Sequence, residues 1–322
     1  MPSRRAPRPI VRFAGALLSA VLVSGCATDP FGAIGQSQFS SAELEDTVFF
    51  PQEAYQCGPA ALATLLSSAG VPVEPGALTP QLYIPERGGS LQSEMIAAAR
   101  RYQRLPYEID TDFSSLLAEL DAGRPVLVLQ NLGVSFAPAW HYAVVIGYST
   151  TQRELVLRSG TTRRLAMSGR TFLRTWKRGD YWGIVLLEPD GIPPTIDKRR
   201  FLRMLAAVEG SGQLELARAA YAAATERWPE EPLAWLGTGN TYFALGDLDA
   251  AEKAYRQLLV VQPADIVGMN NLASLLIARS SCSEAAELIA TAQLGLDDNS
   301  PFNAILEESA RELAACHLVD QQ

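Results

Sequence analysis

Histidine is scarce in this chain. There are two in 322 residues, which leaves little for a zinc site unless carboxylates supply most of the ligands. Four cysteines are too few for a fold built on disulfides. Positive charge is in deficit, with 27 Lys+Arg against 35 Asp+Glu and a net charge of -8. That balance argues against general nucleic-acid binding, which relies on a basic face to release counterions. The N-terminal apolar run, Phe13 to Val23, is about half the length a membrane-spanning helix needs, and no other segment is long enough to span. What remains is 48% hydrophobic and 19% charged, enough for two ordinary domains each with its own core. No metal or cofactor is expected.

Ahead of the apolar run, residues 1–25 carry Arg4, Arg5, Arg8 and Arg12 and no acid, the pattern of a secretory signal peptide. The run ends in Val23-Ser24-Gly25-Cys26, which resembles the bacterial lipobox. The resemblance implies cleavage before Cys26, acylation of its sulfur and a chain held outside the cytoplasm by a lipid anchor; an ordinary signal peptide with a chance thiol is the alternative. Ala27 and Thr28 follow, without the aspartate that commonly retains such proteins in the inner membrane. The expected address is therefore the outer membrane, facing the periplasm. Residues 26–48, rich in Ser, Gly, Gln and acid, read as a flexible tether spanning about 25 Å.

Residues 49–197 hold a second unusual cysteine. Cys57-Gly58-Pro59-Ala60-Ala61-Leu62 reads as the start of a helix, with Gly-Pro in the first turn and Gly70 as a stop. A thiol there faces unpaired backbone N–H groups and the positive end of the helix dipole, both of which favour a nucleophilic sulfur. A buried cysteine beside a tight turn would look the same. Downstream, 124–130, 140–148, 154–158 and 183–187 read as strands, dense in branched apolar residues. His141 opens the second of these on the face of Ala143, Val145 and Gly147. One candidate nucleophile and one histidine are what a thiolate-imidazolium pair requires.

Together, Gln52, the Cys57-Gly58-Pro59 helix start and His141-Tyr142-Ala143-Val144-Val145 resemble the papain-like cysteine peptidases of the bacteriocin-processing, double-glycine group. The resemblance implies Cys57 as nucleophile, His141 as general base and then acid, and Gln52 with the Cys57 N–H as oxyanion hole. Gln56, adjacent to the nucleophile, is the rival for that role. In those peptidases an aspartate before a proline orients the histidine; here the equivalent stretch offers Ser159-Gly160, so Ser159, or else Asn131, is the candidate orienting group. The lost negative charge leaves open a non-catalytic, peptide-binding descendant. Amidase, transglutaminase-like or peptidoglycan-cleaving chemistry is a third possibility, because one Cys-His pair serves all of these on related folds.

Between Arg158 and Arg178 lie Arg163, Arg164, Arg170, Arg174 and Lys177 and no acid. Such a run reads as a solvated face, or as a cationic patch that receives an acidic substrate or docks the acidic C-terminal segment.

Residues 198–322 repeat. Ala217, Tyr221 and Pro229 recur 34 residues on as Ala251, Tyr255 and Pro263, the period of tetratricopeptide helix pairs. Trp235, Gly239 and Tyr242 sit at the spacings those repeats use for close helix packing, a third copy begins near Ile266, and a closing helix follows Ser300. Such stacks hold a peptide or a protein partner on a concave surface. Cys282 and Cys316 would be worth about 3.5 kcal/mol as a disulfide in an exported protein; two separate thiols are the alternative. His317 beside Cys316 has no further ligands near it for a metal.

The reading is an α+β papain-like cysteine peptidase domain over 49–197 followed by an all-α tetratricopeptide helical-repeat domain over 198–322. It implies a peptide or protein substrate, a protein partner on the repeats, a membrane contact through the lipid anchor and no nucleic acid.

Overall fold

The computed structural model describes residues 29–33, 39–52, 57–134, 136–193, 195–297 and 299–319. The signal peptide read over 1–25, the lipidation site Cys26 and the rival glutamine Gln56 lie outside the described residues.

Strand β4 (Trp140–Ser149) organises the N-terminal half. It is apolar on both faces, and the structure uses both. Tyr142, Val144 and Ile146 point to one core, Ala143 and Val145 to the other. A strand covered on both sides needs no polar alternation. Around it the described residues form a seven-stranded sheet in the order β2 (Leu105–Glu108), β7 (Gly183–Leu187), β3 (Val126–Asn131), β4, β5 (Glu154–Ser159), β6 (Thr162–Ser168). β1 (Ser41–Glu43) pairs with the far end of β4, where β5 steps out of register between Val145 and Gly147. Gly147 makes that approach feasible: a Cβ there would stand 2.5 Å from the Ala42 carbonyl oxygen.

Helix α2 (Cys57–Ser68) lies on the Tyr142 face, with every residue from Gly58 to Leu66 buried. A helix buried all round has no polar face to lose, and it fixes Cys57 at the edge of the sheet. Gly70, in the left-handed region at φ +78°, ends that stretch. α3 (Pro75–Leu82) and α4 (Gln92–Arg101) flank α2, while α5 (Phe113–Asp121) and α6 (Gly169–Lys177) cover the other face.

The expected flexible tether over residues 26–48 needs correction in its described part. α1 (Pro30–Ala33) docks on α6, with Phe31 buried against the Phe113 ring at 5.0 Å between centroids. Phe39 is buried, and β1 extends the sheet. Both stretches carry phenylalanine or pairing partners that a solvated linker would not spend.

The C-terminal half is helical: α7 (Lys198–Gly210), α8 (Leu214–Arg227), α9 (Pro232–Leu245), α10 (Leu248–Val261), α11 (Ile266–Ala278), α12 (Cys282–Leu294) and α13 (Asn303–Val319). Asp197, Asp247 and Asp265 cap α7, α10 and α11 by accepting from the N–H three residues on. Glycine lets the helices close. A Cβ on Gly239 would stand 2.3 Å from the buried Tyr255 ring, and one on Gly237 2.1 Å from that of Tyr221. A disulfide joins Cys282 to Cys316, tying α12 to α13.

The halves meet where α7 packs beside β2. Asp197 N donates to Tyr107 Oη at 3.2 Å, Arg200 reaches the Glu108 and Ile109 carbonyls and pairs with Asp110, and one apolar cluster runs from the sheet through Phe201 and Leu205 into α8. The repeats thus dock at the β2 edge; of the arginine-rich stretch, β6 is the opposite edge strand, and α6 lies across the sheet face over β3, β5 and β6. Docking of the acidic repeats on that stretch is not what the structure has. No described helix is long and apolar enough to cross a membrane.

Candidate active site

Cys57 opens α2 half-buried, with a free thiol. In front of it is a cleft of about 570 Å³, walled by the Arg87–Gln92 segment on one side and by Leu129, Pro138, Trp140 and Tyr142 on the other. Gly58 is required here. A Cβ would fall 2.3 Å from Ser90 Oγ, so the cleft wall presses directly on the first turn of α2. Tyr142 Oη donates to the Ser90 carbonyl at 3.3 Å and holds that wall to the sheet. The Tyr142 hydroxyl is held well above its ordinary pKa, first by burial and then by the nearby charge of an ionised Cys57.

His141 stands next to Tyr142 on β4. Its Nε2 and Ser159 Oγ are 2.8 Å apart, a contact that β5 makes by pairing beside β4. Of the two candidate orienting groups, Ser159 is the one at the ring. Asn131 is otherwise engaged: its Oδ1 accepts from Gly133 N and Ala139 N and shapes the β3–β4 turn, and its carbonyl accepts from Arg178. In the tautomer whose Nε2–H donates to Ser159 Oγ, Nδ1 is the ring nitrogen that can take a proton. Burial lowers the His141 pKa, since desolvation penalises the imidazolium. Among the described residues no hydrogen bond links Cys57 to His141.

Gln52 is tied into the strand ends. Its Nε2 donates to the Tyr142 carbonyl at 3.3 Å, its Oε1 accepts from Gly160 N at 3.1 Å, and its own N–H donates to the Gly160 carbonyl at 3.0 Å. It therefore clamps the β5–β6 turn beside Ser159, with one amide hydrogen unengaged among the described residues.

Gln130 was not anticipated. It faces His141 across the β3–β4 pair and is fully buried, its Nε2 donates to Thr175 Oγ1 at 2.7 Å, and its Oε1 has no partner among the described residues. The signal was a lone amide closing an otherwise apolar run, Val126-Leu127-Val128-Leu129. A buried amide at that point braces the sheet beneath the histidine.

The arginine-rich stretch divides. Arg158 is buried and donates to the carbonyls of Glu45, Thr47 and Arg163, Arg164 pairs with Glu43, and Arg178 holds the β3–β4 turn. None of its residues lines the Cys57 cleft, so it is not a receptor for acidic substrate there. On the repeats, a second groove of about 580 Å³ runs past Leu202, Arg203, Leu233 and Asn240. A hydrogen-bonded ladder joins Glu209, Asn240 and Asn271 across α7, α9 and α11.

A buried helix opening on cysteine, a neighbouring strand carrying histidine and an appended helical stack define the class: an α+β cysteine-peptidase-like domain joined to an all-α repeat domain. Residues 37–178 match the Peptidase_C39 like family and residues 207–266 match the tetratricopeptide repeat, so the chain holds a C39-like peptidase domain followed by a tetratricopeptide-like domain. Parts of the chain are similar to solved structures. A C39-like peptidase from Bacillus anthracis is 16% identical, with a TM-score of 0.41 over 47% of this chain and 98% of that one. The peptidase domain of Streptococcus ComA, a bi-functional ABC transporter involved in quorum sensing, is 22% identical, with a TM-score of 0.37 over 44% and 98%. The type III secretion translocator chaperone SycD of Yersinia enterocolitica is 19% identical, with a TM-score of 0.37 over 42% and 99%. No curated protein matches.

Proposed function

We propose that the chain is a lipid-anchored cysteine peptidase of the bacterial cell envelope, at the outer membrane facing the periplasm, with a repeat module that positions a protein partner or substrate. The observation that carries the reading is the His141 Nε2 to Ser159 Oγ contact beside a cleft that opens on the only free thiol among the described residues. The ring is held through one nitrogen and keeps the other for chemistry.

This mechanism requires Nδ1 to reach the thiol around the end of β4, since His141 shares the Ala143 face of the sheet and α2 lies on the Tyr142 face. Cys57 passes its proton to His141 as sulfur bonds to the peptide carbonyl carbon. The Cys57 N–H, in the first turn of α2, and the remaining Gln52 amide hydrogen hold the oxyanion. The C–N bond breaks as His141 returns the proton to the leaving amine. Water, deprotonated by the same ring, then releases the acid and restores the thiol.

The full chain and Cys57→Ala, each incubated with envelope proteins, test this by mapping new termini. We expect cleavages that disappear in Cys57→Ala, a loss of at least about 10⁴-fold in rate for removing a nucleophile. Cleavage that persists in the variant, or is absent from both, overturns the peptidase reading.

A second reading, a peptide-binding scaffold, is favoured by the neutral Ser159 at a position where a charged group would stabilise imidazolium, and by the lack of a hydrogen bond between Cys57 and His141. Cleavage absent from both samples, with peptide still bound, supports it.

A further inference from the structure

After its paired members are set aside, the arginine-rich stretch leaves cations with no partner among the described residues, and three share one side of α6. Arg170, Arg174 and Lys177 follow a spacing of four and three, which places them along one helical face, all exposed; Phe172 and Trp176 fill the buried face. Arg163 on the adjacent edge strand β6 is also exposed and unpaired among the described residues. No acid occurs from Arg158 to Gly179. An uncompensated row of cations over about 10 Å of helix costs self-repulsion and contributes nothing to the core.

The N-terminal segment docks at the start of this helix. Asp29 pairs with Arg153 at 2.9 Å, and the Arg153 carbonyl accepts from Gly169 N at 2.9 Å. Phe31 lies so close over Gly169 that a Cβ there would stand 2.6 Å from its ring, with Pro30 3.1 Å away. Asp29 is three residues beyond Cys26, a reach of about 10 Å at most. If Cys26 carries acyl chains, the chain length tethers the bilayer to Asp29, whose partner Arg153 bonds Gly169 at the start of α6.

We infer that the exposed face of α6 is a second membrane contact, which lies against anionic phospholipid headgroups and sets the orientation of the peptidase domain on the bilayer. The inference rests on the lipid-anchor reading for its placement and on the charge and docking above for its chemistry. An acylated terminus on its own leaves the domain free to rotate, and a basic patch beside it adds affinity and a fixed orientation.

The test uses the full chain with Cys26→Ser, so that no acyl chain contributes, sedimented with phosphatidylcholine vesicles or with vesicles containing about 30% phosphatidylglycerol. Each cation near an anionic surface is worth about fivefold in partitioning, so the triple change Arg170→Gln, Arg174→Gln, Lys177→Gln should weaken binding to the anionic vesicles by about 100-fold. Binding to neutral vesicles should not change. As a second measurement in the unsubstituted protein, Lys177 should be shielded from a water-soluble acetylating reagent by anionic vesicles and not by neutral ones. Partitioning of the triple variant within twofold of its parent, or equal labelling of Lys177 on both vesicles, overturns the proposal. The mass of the Cys26 peptide from cells reports acylation separately. A chain that is acylated but indifferent to the triple change retains its anchor and loses this surface, and the reverse result retains the surface and loses the anchor.

Discussion

The two halves of this protein reach their working geometry from opposite directions along the chain. In the repeats, packing partners are near in sequence: Gly237 receives Tyr221 and Gly239 receives Tyr255, each pair sixteen residues apart on successive helices. In the sheet domain the candidate residues Gln52, Cys57, Gln130, His141 and Ser159 come from distant stretches of chain, and the Gln52 to Gly160 bond alone spans 108 residues. Local periodicity therefore settles the repeat geometry, while the site depends on which strands pair and in what register. The consequence is a division of sensitivities. Substitutions in the repeats should change stability and leave the chemistry of the cleft alone, and substitutions at the site should do the reverse.

The largest expected break of that division is removal of the disulfide. Cys282→Ser frees a loop with a sequence separation of 34 and should lower stability by about 3.5 kcal/mol on chain-entropy grounds. Calorimetry of the full chain should show a lower transition for the repeats, with alkylation of Cys57 unchanged in rate at a temperature where both domains are folded. A fall in the Cys57 rate there would mean that the shared cluster at α7 transmits strain into the cleft.

A smaller effect is expected at Gly237. The alanine methyl in Gly237→Ala would lie 2.1 Å from a buried ring whose hydroxyl is held by Glu209, so the ring cannot swing aside cheaply. Overpacking of this kind should cost about 2 kcal/mol, read as a lower denaturant midpoint. The converse, Gly58→Ala in the cleft wall, meets Ser90 instead, and it belongs with the site.

How much of this was legible in the sequence follows the same division. The α2 start at Cys57 and the strands β3, β4, β5 and β7 are apolar runs bounded by turn residues, and they read as such. β6 did not, because an edge strand of Thr162-Arg163-Arg164 has no buried face to enforce alternation. β2 was hidden by Pro106, tolerated because it lies at the other edge. Residues 29–33 and 39–43 are polar enough to pass for a linker, and they are ordered by Phe31 and by the space Gly147 leaves for β1. The residue types at the site were legible from the Cys57 and His141 segments. Their orientations were not: that Ser159 meets the ring while Asn131 shapes a turn depends on the β4–β5 irregularity and on the β3–β4 hairpin.

The finest test of the division is therefore at Ser159, where one substitution puts a charge beside the His141 ring. In the native chain His141 is neutral by burial, so its contribution to stability is present above the ordinary histidine value of about 6.5 and is lost as the pH falls through its lowered folded value. In Ser159→Asp a carboxylate near Nε2 favours the imidazolium, which raises the folded pKa and shrinks that acid-side loss. A rise of about one unit corresponds to about 1.4 kcal/mol. The pH profile of Cys57 alkylation by iodoacetamide should reflect it: the thiolate is stabilised by a charged partner, so the reactive form should extend to lower pH in Ser159→Asp than in the native chain. His141→Ala should remove the difference between the two. If the profiles of the native chain, Ser159→Asp and Ser159→Asp with His141→Ala coincide, the ring and the sulfur are uncoupled, and the sheet domain binds without cutting. If they separate in the stated order, the serine tempers a working pair, and one strand pairing determines how strongly that pair is charged.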